Sequence, residues 1–195
     1  AYEITTRLVG AEMCIRDSNL GAHIIDQAVQ LFGMPEALFA DIATLRDNGK
    51  VDDYFVIHFL KPSEYPGVKV TLKASYLMCE AEPRFILHGT EGSYVKFGLD
   101  PQEADLKKGL LPNTPHWGEE DQDFWGMIHT EKEGNVFRGK YPSLPGNYGA
   151  FYENIYQHLY GGAVLQSHAK EVVGVIRLIE AAKKSSRMQR VVSLA

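Results

Sequence analysis

The segment Val68 to Leu77, VKVTLKASYL, restricts the fold more than any other part of the chain. Val68, Val70, Leu72, Ala74 and Tyr76 alternate with Lys69, Thr71, Lys73 and Ser75. A period of two becomes one apolar and one polar face only in an extended strand. Such a strand belongs to a sheet with one face on a core and the other on water or a polar partner. Similar runs surround it: Ala37 to Leu45, Tyr54 to Leu60 (YFVIHFL), Arg84 to His88 and Ser93 to Phe97. The last two are joined by Gly89-Thr90-Glu91-Gly92, whose glycines suit a hairpin turn. No helix-length segment separates these strands, and the loops between them are short and polar, so antiparallel pairing in one sheet is predicted.

Helical periodicity brackets the strands. In Asn19 to Pro35, Leu20, Ile24, Ala28 and Leu31 recur at helical spacing, Ile25 and Phe32 widen the stripe, and Gly33 and Pro35 end it. Ser167 to about Ser185 places Val172, Val175, Ile176 and Ile179 on one face, with Lys170, Glu171, Arg177 and Lys184 off it. Tyr148 to Tyr160 carries Phe151, Ile155 and Leu159 one turn apart, and its stripe of Tyr148, Phe151, Tyr152 and Tyr156 reads as core packing. Asp100-Pro101-Gln102-Glu103 opens a short helix, with Asp100 as cap and Glu103 completing a capping box. Gly109 to about Pro145 reads as a long irregular excursion of the kind that carries function or lies at an interface. Val191 to Leu194 is a last short strand. The fold class is therefore α+β: an open-faced, mostly antiparallel sheet with helices packed on one face.

The chain's 195 residues suit one domain, and its 45% hydrophobic and 11% aromatic content excludes disorder as the main state. A net charge of −5 argues against a phosphate-binding surface, and so against a nucleic-acid partner. Cys14 and Cys79 are too few for a disulfide framework or a four-ligand zinc site. Neither a leader nor a long apolar run is visible, so no membrane partner is expected and the setting is soluble, reducing and cytoplasmic. No GxGxxG follows a strand, and the chain alone is not expected to bind a dinucleotide.

Chemistry centres on Asn19, His23 and Asp26, whose spacings of four and three share one helical face. An imidazole near a carboxylate suits proton transfer around neutral pH. Against this stands the reading that His23 caps or packs while Asp26 pairs with a surface base. Spacing alone does not separate the two. His58 and His88 fall in strands as sheet residues; His116, His129, His158 and His168 show no paired ligand spacing, so no metal site is expected.

Several stretches then occur in a fixed order: NLGAHIIDQAVQLFGMPE, FILHGTEGSYVKFGLDPQEADLKKG, the triplet Trp117-Gly118-Glu119, NYGAFYENIYQHL and EVVGVIRLIEAAKKSS. Together they resemble the C-terminal domain of the Gfo/Idh/MocA oxidoreductases, over Asn19 to the C-terminus. The resemblance implies a substrate-binding and oligomerisation domain, 19–195, whose intact enzyme joins it to an N-terminal Rossmann domain. It also implies NAD or NADP as cofactor of the intact enzyme, with a sugar, cyclitol or related polyol as substrate. The family's Asp-x-x-x-His motif falls on Asn19 and His23, so His23 is carried over as the catalytic proton-transfer residue. Asn19, which cannot supply a charge, and Asp26, one turn further, are carried over as substrate-positioning groups. The family's Glu-Lys-Pro motif is not in this sequence. Ahead of Asn19, residues 1–18 form a lead in which Ala11 to Ser18, AEMCIRDS, resembles translated sequencing adaptor; a variable linker strand is the other reading.

The polar face of Val68 to Leu77 implies a further partner. In relatives this open face meets its counterpart from another subunit, so a homo-oligomer through the sheet is expected, with Asp41, Thr44 and His58 available to Lys69 and Lys73. Two rival functions remain at this point: a non-catalytic dimerisation or ligand-binding module, and an acid–base isomerase using His23 and Asp26.

Overall fold

A computed structural model describes residues 2–7, 19–112 and 114–194, with 2–7, 19 and 20 described by backbone alone. In chain order the strands are β1 (Tyr2–Arg7), β2 (Pro35–Ala43), β3 (Tyr54–Pro62), β4 (Val68–Ser75), β5 (Phe85–His88), β6 (Gly92–Lys96), β7 (Gly126–Lys132), β8 (Asn135–Tyr141) and β9 (Val192–Ser193). The helices are α1 (Asn19–Phe32), α2 (Gln102–Lys107), α3 (Gly149–Gly161) and α4 (Ala169–Met188). All nine strands form one sheet in the order β8-β7-β6-β5-β1-β4-β3-β2-β9. The α+β class, the mostly antiparallel sheet and the one-sided helical cover are as the sequence predicts.

The alternation in β4 does what its period requires. Val70, Leu72 and Ala74 are buried, and they meet Leu38, Ala40, Ile57 and Phe59 of the neighbouring strands on the same face. On that face lie α1, through Ile24, Ile25, Ala28 and Phe32, and α4, through Val175, Leu178, Ala181 and Ala182. Alanines on both partners let helix and sheet approach closely, and burying this apolar surface is the main source of stability. Lys69, Thr71, Lys73 and Ser75 consequently face away from the helices, toward the uncovered side of the sheet.

Beyond Leu38, β2 loses its outer neighbour, because β9 pairs only with Ala37 and Leu38. Two serines of α4 take over. Ala40 N–H donates to buried Ser185 Oγ at 3.0 Å, and Ile42 N–H donates to Ser186 Oγ at 2.9 Å. Backbone donors stranded at an edge are thereby paired without another strand.

Three sequence expectations are corrected. The stretch Gly109 to Pro145 is not irregular throughout: it holds the β7–β8 hairpin. Its two-residue turn is Glu133-Gly134, both with positive φ (52° and 77°), as hairpins of this kind require. The stripe on α3 is not core, since Tyr148, Phe151, Tyr152 and Tyr156 are all exposed and the helix buries no residue. No capping box opens α2. Asp100 instead accepts from the Gln102 N–H and side chain, while Glu103 pairs with Lys107. The lead is divided: Tyr2–Arg7 is the middle strand of the sheet, whereas 8–18, with Cys14 and the Ala11 to Ser18 string, lie outside the described residues.

Candidate functional site

Helix α1 turns Ile24, Ile25, Ala28 and Phe32 to the sheet, which leaves His23 and Asp26 exposed on its outer face. Asn19 is the first residue of α1; its side chain lies outside the described residues. Among the described residues, no side-chain hydrogen bond or ion pair involves His23 or Asp26, and none joins one to the other. That separates His23 from most of the other histidines. The rings of His58, His88, His116 and His158 bond Thr71 Oγ1 (3.0 Å), Ser93 Oγ (2.9 Å), Glu119 (2.9 Å) and the Ala163 carbonyl (2.7 Å). His168 sits at the N-cap of α4, its backbone N–H donating to Glu171. His129 is tied into a strand pair opposite Arg138. His23 alone stands on an outer helix face with no structural task among the described residues.

One turn beyond His23, Gln27 links this face to a cleft. Its Oε1 accepts from Arg84 Nη2 at 2.9 Å. Arg84 is half-buried at the mouth of β5, with its guanidinium 5.5 Å from the centre of the Phe85 ring. Nη1 is buried and finds no partner, and desolvation holds the guanidinium pKa below its ordinary value. The cleft, about 190 Å³, lies between Arg84 and Lys96 on one side and the loops at Gly98–Pro101, Gly118–Glu120 and Ser143–Gly146 on the other.

Two buried clusters shape those loops. Lys96 Nζ donates to Glu120 Oε1 (2.5 Å) and to the carbonyls of Phe97 and Phe124 (2.7 Å each), while Ser143 Oγ donates to Glu120 Oε2. With every partner in place, this ion pair works as a rivet between β6 and the loops. The second cluster centres on Gln102, which is fully buried. Its Oε1 accepts from Trp117 Nε1 and from Tyr148 N–H, both at 2.8 Å, and its Nε2 donates to both oxygens of Asp100 at 3.0 Å. A Cβ at Gly146 would strike Asp100 and Gln102, so only glycine lets the chain pass here. Burial first, then the carboxylates of Asp100 and Glu103, raise the Tyr148 hydroxyl pKa above its ordinary value.

Sequence spacing reaches Asn19, His23 and Asp26 but not Gln27, Arg84 or Gln102. Gln27 could have been found, since it stands four residues from His23 on the same helix. Arg84 and Gln102 are brought in by the sheet and the loops, over separations that no local pattern spans. Among the described residues, no three His, Cys, Asp or Glu side chains gather as a metal site.

Comparison with known proteins covers almost the whole chain. The family model described as "Oxidoreductase family, C-terminal alpha/beta domain" matches residues 18–194. The scyllo-inositol 2-dehydrogenase (NADP(+)) IolW of Bacillus subtilis is 35% identical over 176 residues, covering 90% of this chain and 48% of that protein. The Escherichia coli oxidoreductase YdgJ is 34% identical over 177 residues, covering 91% and 49%. A Bacteroides fragilis protein of known crystal structure superposes with a TM-score of 0.92 at 56% identity, covering 98% of this chain and 57% of that one. The chain spans about half the length of the curated relatives it matches.

Proposed function

We propose, from the premise that this chain belongs to the Gfo/Idh/MocA oxidoreductases as their C-terminal alpha/beta domain, that it is the substrate-binding and oligomerisation half of a nicotinamide-dependent enzyme acting on a sugar, cyclitol or related polyol. The observation that carries the proposal is His23: exposed on the outer face of α1 and without a bond among the described residues, it is neither a core nor a capping histidine. An imidazole so placed is free to take the proton of a substrate hydroxyl as the carbinol carbon is oxidised, and to return it in the reverse direction. Asp26, on the same outer face, and Asn19, the first residue of α1, are assigned to positioning the substrate hydroxyls; the Gln27–Arg84 pair carries that polar surface into the cleft. The inositol dehydrogenase named among the relatives supports a ring polyol as substrate class.

The described residues do not fit a nicotinamide dinucleotide. Among the described residues the sheet has a single parallel pair, β1 with β4, and no strand–glycine turn–helix unit to cradle a pyrophosphate. NAD or NADP is assigned to the half of the relatives that this chain does not match. The uncovered sheet face, with Lys69, Lys73 and the His58–Thr71 pair, is assigned to a second copy of the chain. Thr44 is not part of that face; it sits beyond β2 and donates to Asp52. Among the described residues, no helix is long and apolar enough to cross a membrane, and a cytoplasmic setting goes with this reading.

The test is His23→Ala in an intact enzyme, made by joining the preceding half of the Bacteroides fragilis relative to this chain. Turnover is expected to fall by about 10²–10⁴-fold with KM little changed. Turnover within a few-fold of the parent refutes the role.

A further inference from the structure

The uncovered face of the sheet carries three of the chain's seven histidines, and the strand register sets them in matched surroundings. Buried Val70 fixes the phase: Thr71, the next residue, faces away from the core, and so does His58, its direct partner on β3. Through Thr5 of β1 the pairing brings Ile86 of β5 to the same face, and His88 follows two residues on. Ser93 of β6 lies opposite His88, His129 of β7 opposite Ser93, and Arg138 of β8 opposite His129. Two of the rings are fixed by a hydroxyl. His58 Nδ1 bonds Thr71 Oγ1 at 3.0 Å and His88 Nδ1 bonds Ser93 Oγ at 2.9 Å, each across a directly paired position. Nδ1 is the nitrogen nearer the backbone, so the sheet takes that one and leaves the distal Nε2 for whatever covers the face. The chemistry proposed at His23 uses none of the three.

The charged positions around them are mostly cationic. Beside His58 stand Phe39 on β2, its ring nearly parallel at 6.4 Å, then Asp41 two residues on, and Lys69 and Lys73 on either side of Thr71. On β1, Glu3 and Arg7 are in register with Lys69 and Lys73. Around His88 and His129 the face carries Glu131 on β7 and Arg138 and Lys140 on β8, with Lys140 already held by the Gln122 carbonyl and Asp123. Partly exposed Val56, Ile86, Val95 and Met127 stand between them. We propose that these histidines make self-association through the sheet face depend on pH, the copies joining while the imidazoles are neutral and parting when they are protonated. Imidazole changes charge between pH 5 and 8, and a neutral ring can be buried against one hydroxyl. Once protonated, both nitrogens are donors, and Nε2 then needs an acceptor from the second copy. A two-fold contact offers only the same surface again, where Asp41 is the acid available to Lys69 and Lys73. A charge buried without a partner is costly, and like charges set face to face add to that. The assembly therefore binds fewer protons than the free chain, and association weakens as pH falls. The inference rests on the proposed function only for the assignment of this face to a second copy.

Sedimentation velocity of this chain at pH 7.5 and pH 5.5, at one ionic strength, tests it. The dissociation constant of the assembly is expected to rise at least about ten-fold at the lower pH, and by less in high salt, while circular dichroism shows the fold intact. His58→Gln, His88→Gln and His129→Gln made together supply amides that can bond Thr71 and Ser93 but take up no proton, so this variant should stay assembled at both pH values. A constant that does not change in the parent overturns the inference. So does a triple variant that dissociates on acidification as the parent does. Proton uptake on dilution near pH 6, from calorimetry in two buffers of different ionisation enthalpy, needs no variant to fold: uptake of about one proton or more per copy supports the inference, and none overturns it. A chain that is monomeric at both pH values refutes the assignment of the face to a second copy and takes this inference with it. An assembly that Lys73→Glu breaks and acid does not refutes the inference alone.

Discussion

Replacing Gln102 by leucine should be among the costliest single changes outside the apolar core. The buried amide accepts from Trp117 Nε1 and Tyr148 N–H and donates to Asp100. Leucine fills much of the space but leaves two donors without acceptors and a carboxylate with one donor fewer. An orphaned buried group costs about 1–3 kcal/mol, and partial access to water from the loop surface puts the sum near the low end, about 2–4 kcal/mol. With a urea slope of about 2 kcal/mol/M for a chain of this size, the midpoint should fall by roughly 1–2 M. Gln102→Glu sharpens the argument. Glutamate keeps the acceptor but sets a second carboxylate against Asp100, so one of the two holds a proton in the folded state. Its folded-state pKa is then raised above the unfolded value. The variant's stability is fully present below the unfolded pKa and is lost as pH rises through the folded one. The glutamate variant should therefore approach the parent near pH 4 and weaken by pH 7, while the leucine variant shows no such recovery. Urea titrations followed by tryptophan fluorescence at both pH values are the assay. A leucine variant within about 0.5 kcal/mol of the parent, or a glutamate variant insensitive to pH, would refute the hub.

Asp53 gives the opposite pH sign. Burial works to raise its pKa, but N–H donors from Leu45 and Arg46 and the Arg46 guanidinium outweigh it, so the carboxyl titrates below its ordinary value of 3.8. Its stabilisation is present above the unfolded pKa and lost as pH falls through the lower, folded one; Asp53→Asn should cost about 1–3 kcal/mol at pH 7 and progressively less as pH falls below the ordinary carboxylate range, read from thermal midpoints. Lys73→Glu, on the uncovered sheet face, should dissociate the expected dimer in light scattering at low salt, and an unaltered oligomer would move the interface elsewhere. This chain alone should bind neither NAD nor NADP, and micromolar binding by calorimetry would overturn the proposal that the dinucleotide belongs to the part of the relatives it does not match.

Much of the core was legible in the sequence because it repeats locally. Ile24, Ala28 and Phe32 on α1, and Val70, Leu72 and Ala74 on β4, show their burial through spacing alone. β7 and β8 escaped because their side chains are largely exposed on the hairpin, so little apolar alternation marks GMIHTEK and NVFRGKY. The signal that was present, Glu133-Gly134, sat within a glycine-rich stretch that reads as loop. For α3 the period marks the helix but not its burial, because a 3.6-residue stripe makes one face apolar without saying what, if anything, covers it. Of the candidate site, His23 can be placed on a helix face, but its lack of a side-chain bond among the described residues depends on everything around that face and is invisible to spacing.

The sheet is two antiparallel blocks, β8-β7-β6-β5 and β4-β3-β2-β9, and β1 is the one strand between them. Each block is built from neighbours in sequence, apart from the late arrival of β9, so each can zip from its own turns. β1 cannot. Tyr2 pairs with Val68 and Ile4 with Leu87, so the earliest strand of this chain must wait for residues made some eighty positions later. At a synthesis rate of about 5–20 residues per second, that wait lasts roughly four seconds or more. Until β4 is made both edges of β1 are unpaired, and until β5 follows the two blocks have no common sheet. Folding of this domain should therefore show fast formation of the separate blocks and a slower closing step of high contact order. Its unfolding should begin by the reverse, with β1 leaving and the sheet parting along the line it had joined.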